Sequence, residues 1–251
     1  MKKIVLVFCL AFLSKFSIGQ QAFYSWHQQI DGGGYDEVSH LAVLSNGDVI
    51  SLGQFSGVQD FDPDPVVSQL IDASHGYNFI CRLSSTGTYR WAVAFDSSAT
   101  LNIASMSRDV SDDIYICGSF NGKADMEPGP GTTFIQSLPN SIDVFFAKYS
   151  GVDGHLICAK TFGSTQQDYL TGICGDSHGN IFISGNYFVP LNVDPNGSFV
   201  ITPFGGNDIY LAKYDSMGNF IQAINFGASG GDNAGQILAD DQDHIYTCGT
   251  L

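Results

Sequence analysis

The sequence predicts an all-β chain of repeated four-stranded antiparallel sheets, and three observations carry that reading. Of 25 acidic residues only Glu37 and Glu127 are glutamate, set against 10 Lys and Arg. Glutamate, lysine and alanine populate exposed helix faces, whereas aspartate bonds nearby backbone and favours turns and caps. The 29 Gly, 19 Phe and 11 Tyr suit aromatic strands joined by tight turns. Finally, the chain repeats itself about every 65 residues, a period that marks stacked supersecondary units. Helical bundles, coiled coils and doubly wound α/β sheets are thereby excluded. With 44% hydrophobic and 14% charged residues, the chain has material for a large core and does not compose a disordered segment.

The first element is a leader. Residues 1–19 carry Lys2 and Lys3, the apolar run Ile4 to Leu13, and small residues at Ser17 and Gly19. That is the pattern of a secretory signal peptide, with cleavage expected between Gly19 and Gln20. The run is too short to span a bilayer and is interrupted by Ser14 and Lys15, so no transmembrane segment is expected in the mature chain. Cys9 lacks the small-residue context of a lipidated cysteine. The expectation is a protein secreted or held at the cell surface, with 7 basic and 25 acidic residues and a net charge of −18.

The repeat follows from three anchors in one register. A glycine closes an apolar strand at Gly53, Gly118, Gly185 and Gly249, spaced 65, 67 and 64 residues apart. An acid precedes proline at Asp62-Pro63, Glu127-Pro128 and Asp194-Pro195, spaced 65 and 67. As the third anchor, a strand ends at Ile30, Phe95, Phe162 and Phe226, again spaced 65, 67 and 64. The units they define are a partial strand at 24–31, repeats at 36–95, 101–162 and 168–226, and a partial repeat at 233–251. In the third repeat four strands are predicted, Leu170 to Gly175, Ile181 to Tyr187, Asp208 to Tyr214 and Phe220 to Phe226, termed a, b, c and d. The a-b and c-d links, such as Asp176 to Asn180 and Asp215 to Asn219, have hairpin chemistry.

Strands such as IFISGNYF and DIYLAKY are apolar on both faces, so each sheet must be covered on both sides. Four-stranded sheets packed face to face in a radial array meet that demand. The predicted architecture is therefore a β-propeller, with a parallel-strand solenoid as runner-up. Propellers carry roughly four to eight blades. This sequence supplies three full blades and two partial ones, so an incomplete ring truncated at the C-terminus is expected.

The chain resembles the bacterial secreted β-propeller repeat known as the SBBP repeat. The matching residues are Asp143 to Tyr149 (DVFFAKY), Asp208 to Asn219 (DIYLAKYDSMGN), Thr161 to Gly163, Asn225 to Gly227, Gly179 to Gly185 (GNIFISG) and Asp60 to Pro63 (DFDP). The first repeat departs most, with NFICRL at Asn78 to Leu83. The resemblance spans the mature chain and implies a propeller of exported bacterial proteins. It implies no catalytic residues and is compatible with binding, adhesion or scaffolding.

A net charge of −15 excludes nucleic acid as a partner, because phosphate binding needs clustered Lys and Arg. Strand parity places the b-c and d-a connections on one rim, giving an acidic surface of Asp60, Asp62, Asp64, Asp125, Glu127 and Asp194 together with Asp96, Asp168 and Asp232. Alternating carboxylates beside proline carbonyls can form an oxygen shell for Ca²⁺, so the first six are candidate ligands, Asp60-Phe61-Asp62-Pro63-Asp64 being the densest cluster. The plainer reading is that they shape turns. No EF-hand or HExxH spacing is present, and the third repeat has Asn192 where the others have an acid.

No GxSxG elbow occurs, and the Gly-rich stretch after Phe226 lacks the context of a phosphate loop. Cys81, Cys117, Cys158 and Cys174 occupy core slots and read as buried free thiols. Trp26 and Trp91 read as packing residues. The function expected is a non-enzymatic exported module for binding or scaffolding, with a protein or glycan ligand on the acidic rim. The alternative is a fragment of a propeller-fold glycan-active or lyase-type enzyme.

Overall fold

The computed structural model describes residues 26–27, 31–32, 34–64, 66–96 and 100–251. The expected signal peptide and most of the first expected strand, residues 28–30, lie outside the described residues. Among the described residues the secondary structure is strand and turn, with no helix. The chain divides into two compact units, residues 1–94 and 95–251.

The first unit contains β1 (Asp31–Gly32), β2 (Asp36–Val43), β3 (Val49–Asp60), β4 (Leu70–Leu83) and all but the last two residues of β5 (Tyr89–Asp96). The strands lie in the order β2-β3-β4-β5, with β1 paired to the far end of β3. Phe55, Phe61, Phe79, Cys81 and Leu83 form its core. Phe61 packs at 5.3 Å from Phe55 and 5.0 Å from Phe79. Trp26 and Ala92 pack against this cluster, and the indole N–H of Trp26 donates to the Ser85 carbonyl at 2.9 Å.

The second unit opens with β6 (Thr100–Arg108), β7 (Ile114–Asn121), the short pair β8 (Lys123–Asp125) and β9 (Phe134–Gln136), then β10 (Asp143–Tyr149) and β11 (Leu156–Phe162). It continues with β12 (Tyr169–Gly175), β13 (Ile181–Tyr187), the short pair β14 (Leu191–Asn192) and β15 (Val200–Ile201), then β16 (Asp208–Tyr214) and β17 (Phe220–Phe226). It closes with β18 (Asn233–Ala239) and β19 (Ile245–Thr250). The sheets are antiparallel, ordered β6-β7-β10-β11, β12-β13-β16-β17 and β18-β19.

Successive sheets in this unit pack face to face in chain order. Every residue of β10 and β13 is buried. Ile181 and Ile183 face Tyr115, Cys117, Phe146 and Phe162 of the preceding sheet. Phe182, one residue out of phase, faces Ile237 of the following one. Alternate side chains of one strand thus serve two interfaces, the physical reason for strands apolar on both faces.

The recurrent glycine has a local cause. Strand a carries a bulge at one register in every repeat, at Val38/His40, Ile103/Ser105, Leu170/Gly172 and Ala234/Ile237. There its carbonyl presses into the facing b strand. A Cβ on Gly53, Gly118, Gly185 or Gly249 would sit 1.8, 2.0, 2.1 or 2.5 Å from the carbonyl oxygen of Glu37, Asn102, Tyr169 or Asn233. Only glycine admits that approach.

The b-c connections differ from the simple loops expected. In the first unit they continue as the long strands β3 and β4, bent at Gly57 with φ of 80°. In the later repeats they form the separate pairs β8/β9 and β14/β15, which fold back onto the sheet. Ala124, Met126, Ile135, Leu191, Val193 and Ile201 of these extensions are buried.

Candidate functional site

The acid-proline loops are built around side chains that accept backbone hydrogen bonds. Asp60 Oδ1 accepts from the N–H of Asp62 at 3.1 Å and of Gln69 at 2.9 Å, and Oδ2 from the Ser68 hydroxyl at 2.8 Å. Asp62 accepts from Asp64 N–H, and Asp64 from Val66 N–H, each at 3.0 Å. Asp125 Oδ1 accepts from Glu127 and Thr133 at 3.1 and 2.8 Å, and Glu127 from Gly129 at 3.3 Å. In the third repeat the amide oxygen of Asn192 accepts from Asp194 and Phe199 at 3.2 and 2.8 Å, and Asp194 from Asn196 at 3.0 Å. Asn192 therefore does the work of Asp60 and Asp125 without a charge. Each acid is placed one turn after another along its own loop, as Asx turns. Among the described residues no three His, Cys, Asp or Glu side chains converge as metal ligands would.

In the second unit these loops do not share a rim with the d-a connections, contrary to what strand parity predicts. Tyr149, at the end of β10, donates to the Met126 carbonyl at 2.9 Å, and Tyr214, at the end of β16, donates to Val193 at 2.7 Å. Asn196 contacts Asn219 of a c-d turn at 3.4 Å. Folding back of the extensions carries the acids to the hairpin end, where the a-b and c-d turns lie. The tyrosine of each AKY strand thus pins an acid-proline loop, a role the sequence gives no sign of.

The hairpin turns are acidic as well. One side-chain oxygen accepts from the N–H groups two and four residues ahead in Asp109, Asp176, Asp215 and Asp240, and in Ser84. A cation on strand c answers the a-b turn of each repeat. Arg82 meets Asp48 at 2.7 Å, Lys148 meets Asp109 and Asp113 at 2.9 and 3.0 Å, and Lys213 meets Asp176 at 3.5 Å. Burial alone would lower the Lys148 pKa, but its bonds to Asp109 and Asp113 outweigh burial and hold it above the usual lysine value. The exposed His155, His178 and His244 sit in these turns against Asp153, Asp243 and Asp240.

Two acids expected on the rim are buried instead. Asp168 and Asp232, which precede strand a, are 0% and 1% exposed. Asp143 and Asp208, which open strand c, are 3% and 0% exposed. Each accepts one backbone hydrogen bond through Oδ2, from Ser164 at 2.6 Å, Ala228 at 2.7 Å, Leu138 at 2.9 Å and Phe204 respectively. Oδ1 of Asp143, Asp168 and Asp208 has no hydrogen-bond partner. Burial, reinforced by the charge of Asp143, pushes the Asp168 carboxyl up to about 6.

Where β6, β12 and β18 run together, a groove of about 290 Å³ is lined by Ser105 to Arg108, Ile173 to Gly175 and Gln236 to Ala239. Among the described residues the cysteines are free, with Cys81, Cys117 and Cys174 buried, Cys158 half-buried and Cys248 exposed. Burial pushes Cys81 and Cys174 up to about 12, which removes their thiolate character.

No protein-family model matches the chain. Over 152 residues, 57% of its length, it is 26% identical to an uncharacterized WD repeat-containing protein of Acanthamoeba polyphaga mimivirus. The chain covers 11% of that protein, so it spans about a tenth of the relative it matches. The match relates the chain distantly to a repeat protein, in agreement with its recurring antiparallel sheets.

Proposed function

We propose that this chain is a non-enzymatic β-propeller repeat module of the secreted SBBP kind, exported by its N-terminal segment, which binds a protein partner through its acidic hairpin end. The observation that carries the reading is the face-to-face stacking of four-stranded antiparallel sheets in chain order, with the first strands β6, β12 and β18 as neighbours. WD-repeat propellers use the same four-stranded blade in about 40 to 45 residues. The extra length here is accounted for by the folded-back b-c extensions. A negative surface steers and selects positively charged partners, and Glu127, Asp153, Asp194 and Asp215 present carboxylates at the hairpin end of the second unit.

The test is binding of the immobilised chain to peptides of graded charge. Lys- and Arg-rich peptides are retained at low salt, released as salt rises, and lost when Glu127, Asp153, Asp194 and Asp215 are changed to their amides. Retention indifferent to charge would overturn this surface as the binding site. Catalytic turnover of glycan substrates would favour the enzyme reading. Export is checked by N-terminal sequencing of the mature protein, which begins at Gln20.

A further inference from the structure

We propose that the two d-a junctions of the second unit are binding sites for a calcium-type divalent cation, one built on Asp143 and Asp168 and the other on Asp208 and Asp232. The two have one construction. In each, a glycine follows the end of strand d and the next residue, Ser164 or Ala228, donates its N–H to the acid that precedes strand a. The acid that opens strand c lies against the glycine. A Cβ on Gly163 would meet Asp143 Oδ1 at 2.4 Å. On Gly227 it would sit 2.2 Å from Asp208 Oδ1 and 2.5 Å from Asp232 Oδ2, so those oxygens are no farther apart than the sum of those distances.

Four carboxylates at most 3% exposed are costly unless their charge is met. Among the described residues no Lys, Arg or His pairs with any of them. Three retain a buried oxygen with no partner, the signature of a group that awaits a water or an ion. Two carboxylates require one 2+ ion for neutrality. No histidine or cysteine accompanies them, so the donors are hard oxygens, which suit calcium and not zinc. The first unit has the uncharged Asn78 where strand c begins, so two sites are expected and not three. These acids are distinct from those of the acid-proline loops, each of which gives at least one side-chain oxygen to a turn.

The test is calorimetric titration of the chelator-treated protein with CaCl₂, beside thermal unfolding in calcium and in chelator. Two equivalents bind and raise the melting temperature. Asp168→Asn and Asp208→Asn each remove one equivalent, the amide oxygen keeping the bond to Ser164 or Phe204, while Asp62→Asn keeps both. The wild-type comparison stands even if a variant fails to fold. Absence of binding, or loss of the equivalents through Asp62→Asn, would overturn the assignment. So would stability that ignores calcium but rises on acidification, since a shared proton would then hold the unpartnered oxygens.

Discussion

Lys148 neutralises Asp109 and Asp113 in a nearly closed environment, its side chain 8% exposed. Removing one partner of a buried ion pair leaves an uncompensated charge, at about 3 kcal/mol or more. Lys148→Met is therefore expected to lower stability by about 3 kcal/mol in urea unfolding, whereas Arg108→Met, at a half-buried pair with Asp112, should cost under about 1 kcal/mol. Asp60 makes a different prediction. Because Asn192 makes the same two backbone bonds in the third repeat, Asp60→Asn is expected to leave the melting temperature nearly unchanged. Asp60→Ala removes both of these and the bond from the Ser68 hydroxyl and should cost about 1 to 2 kcal/mol. Asp168 sets a pH dependence in chelating buffer. Its native value of about 6 stands above the ordinary 3.8, so below pH 4 both folded and unfolded forms are protonated and carry no penalty. Between pH 4 and 6 the unfolded chain releases a proton the native state retains, and stability falls as pH rises, by about 3 kcal/mol in all. Urea unfolding from pH 4 to 7 should show this slope in the wild type and lose it in Asp168→Asn.

At the scale of elements, the strands of the third repeat were legible because each is a run of about seven residues with apolar character on both faces, ended by an Asp- or Gly-bearing turn. The structure places them at Tyr169–Gly175, Ile181–Tyr187, Asp208–Tyr214 and Phe220–Phe226. The pairs β8/β9 and β14/β15 were not legible. Segments of two or three residues have no period, and what fixes them is burial of Met126 or Val193 and a hydroxyl from a distant tyrosine. The same non-local contact moved the acid-proline loops to the hairpin end. Likewise, nothing in the local sequence around Asp168 distinguishes a solvated loop acid from a buried one. The recurrent glycine was visible as a signal, but its cause, a bulge on the facing strand, required the pairing register. Gly118→Ala would drive a methyl to 2.0 Å from the Asn102 carbonyl oxygen and is expected to cost about 3 kcal/mol or more. Gly230→Ala, with nothing within 4 Å of the new methyl, should fall within about 0.5 kcal/mol of wild type. Thermal unfolding of the pair separates the two.

At the scale of the whole molecule, each of the two units has its own buried cluster, around Phe55, Phe61 and Phe79 in one and around Phe146, Tyr210 and Tyr214 in the other. A unit with its own core is expected to fold alone. Residues 95–251 produced as a fragment should show the strand signal of the parent in far-ultraviolet circular dichroism and a cooperative melt. A featureless spectrum would mean that the second unit depends on the first. The invariant a-strand bulge has a consequence for which lengths the chain tolerates. From the phenylalanine that ends strand d to the glycine of the next strand b is 23 residues in every case, Phe95 to Gly118, Phe162 to Gly185 and Phe226 to Gly249. From that glycine to the start of strand c is 25, 25 and 23 residues, and across the c-d hairpin 17, 19 and 18. A one-residue slip in a strand buried on both faces would swap the side chains of two interfaces at once, so insertions and deletions are absorbed only where the chain leaves the stack. The b-c extension and the c-d turn are accordingly the places to graft a foreign loop, and the stretch from d through a to b is the segment to leave uncut.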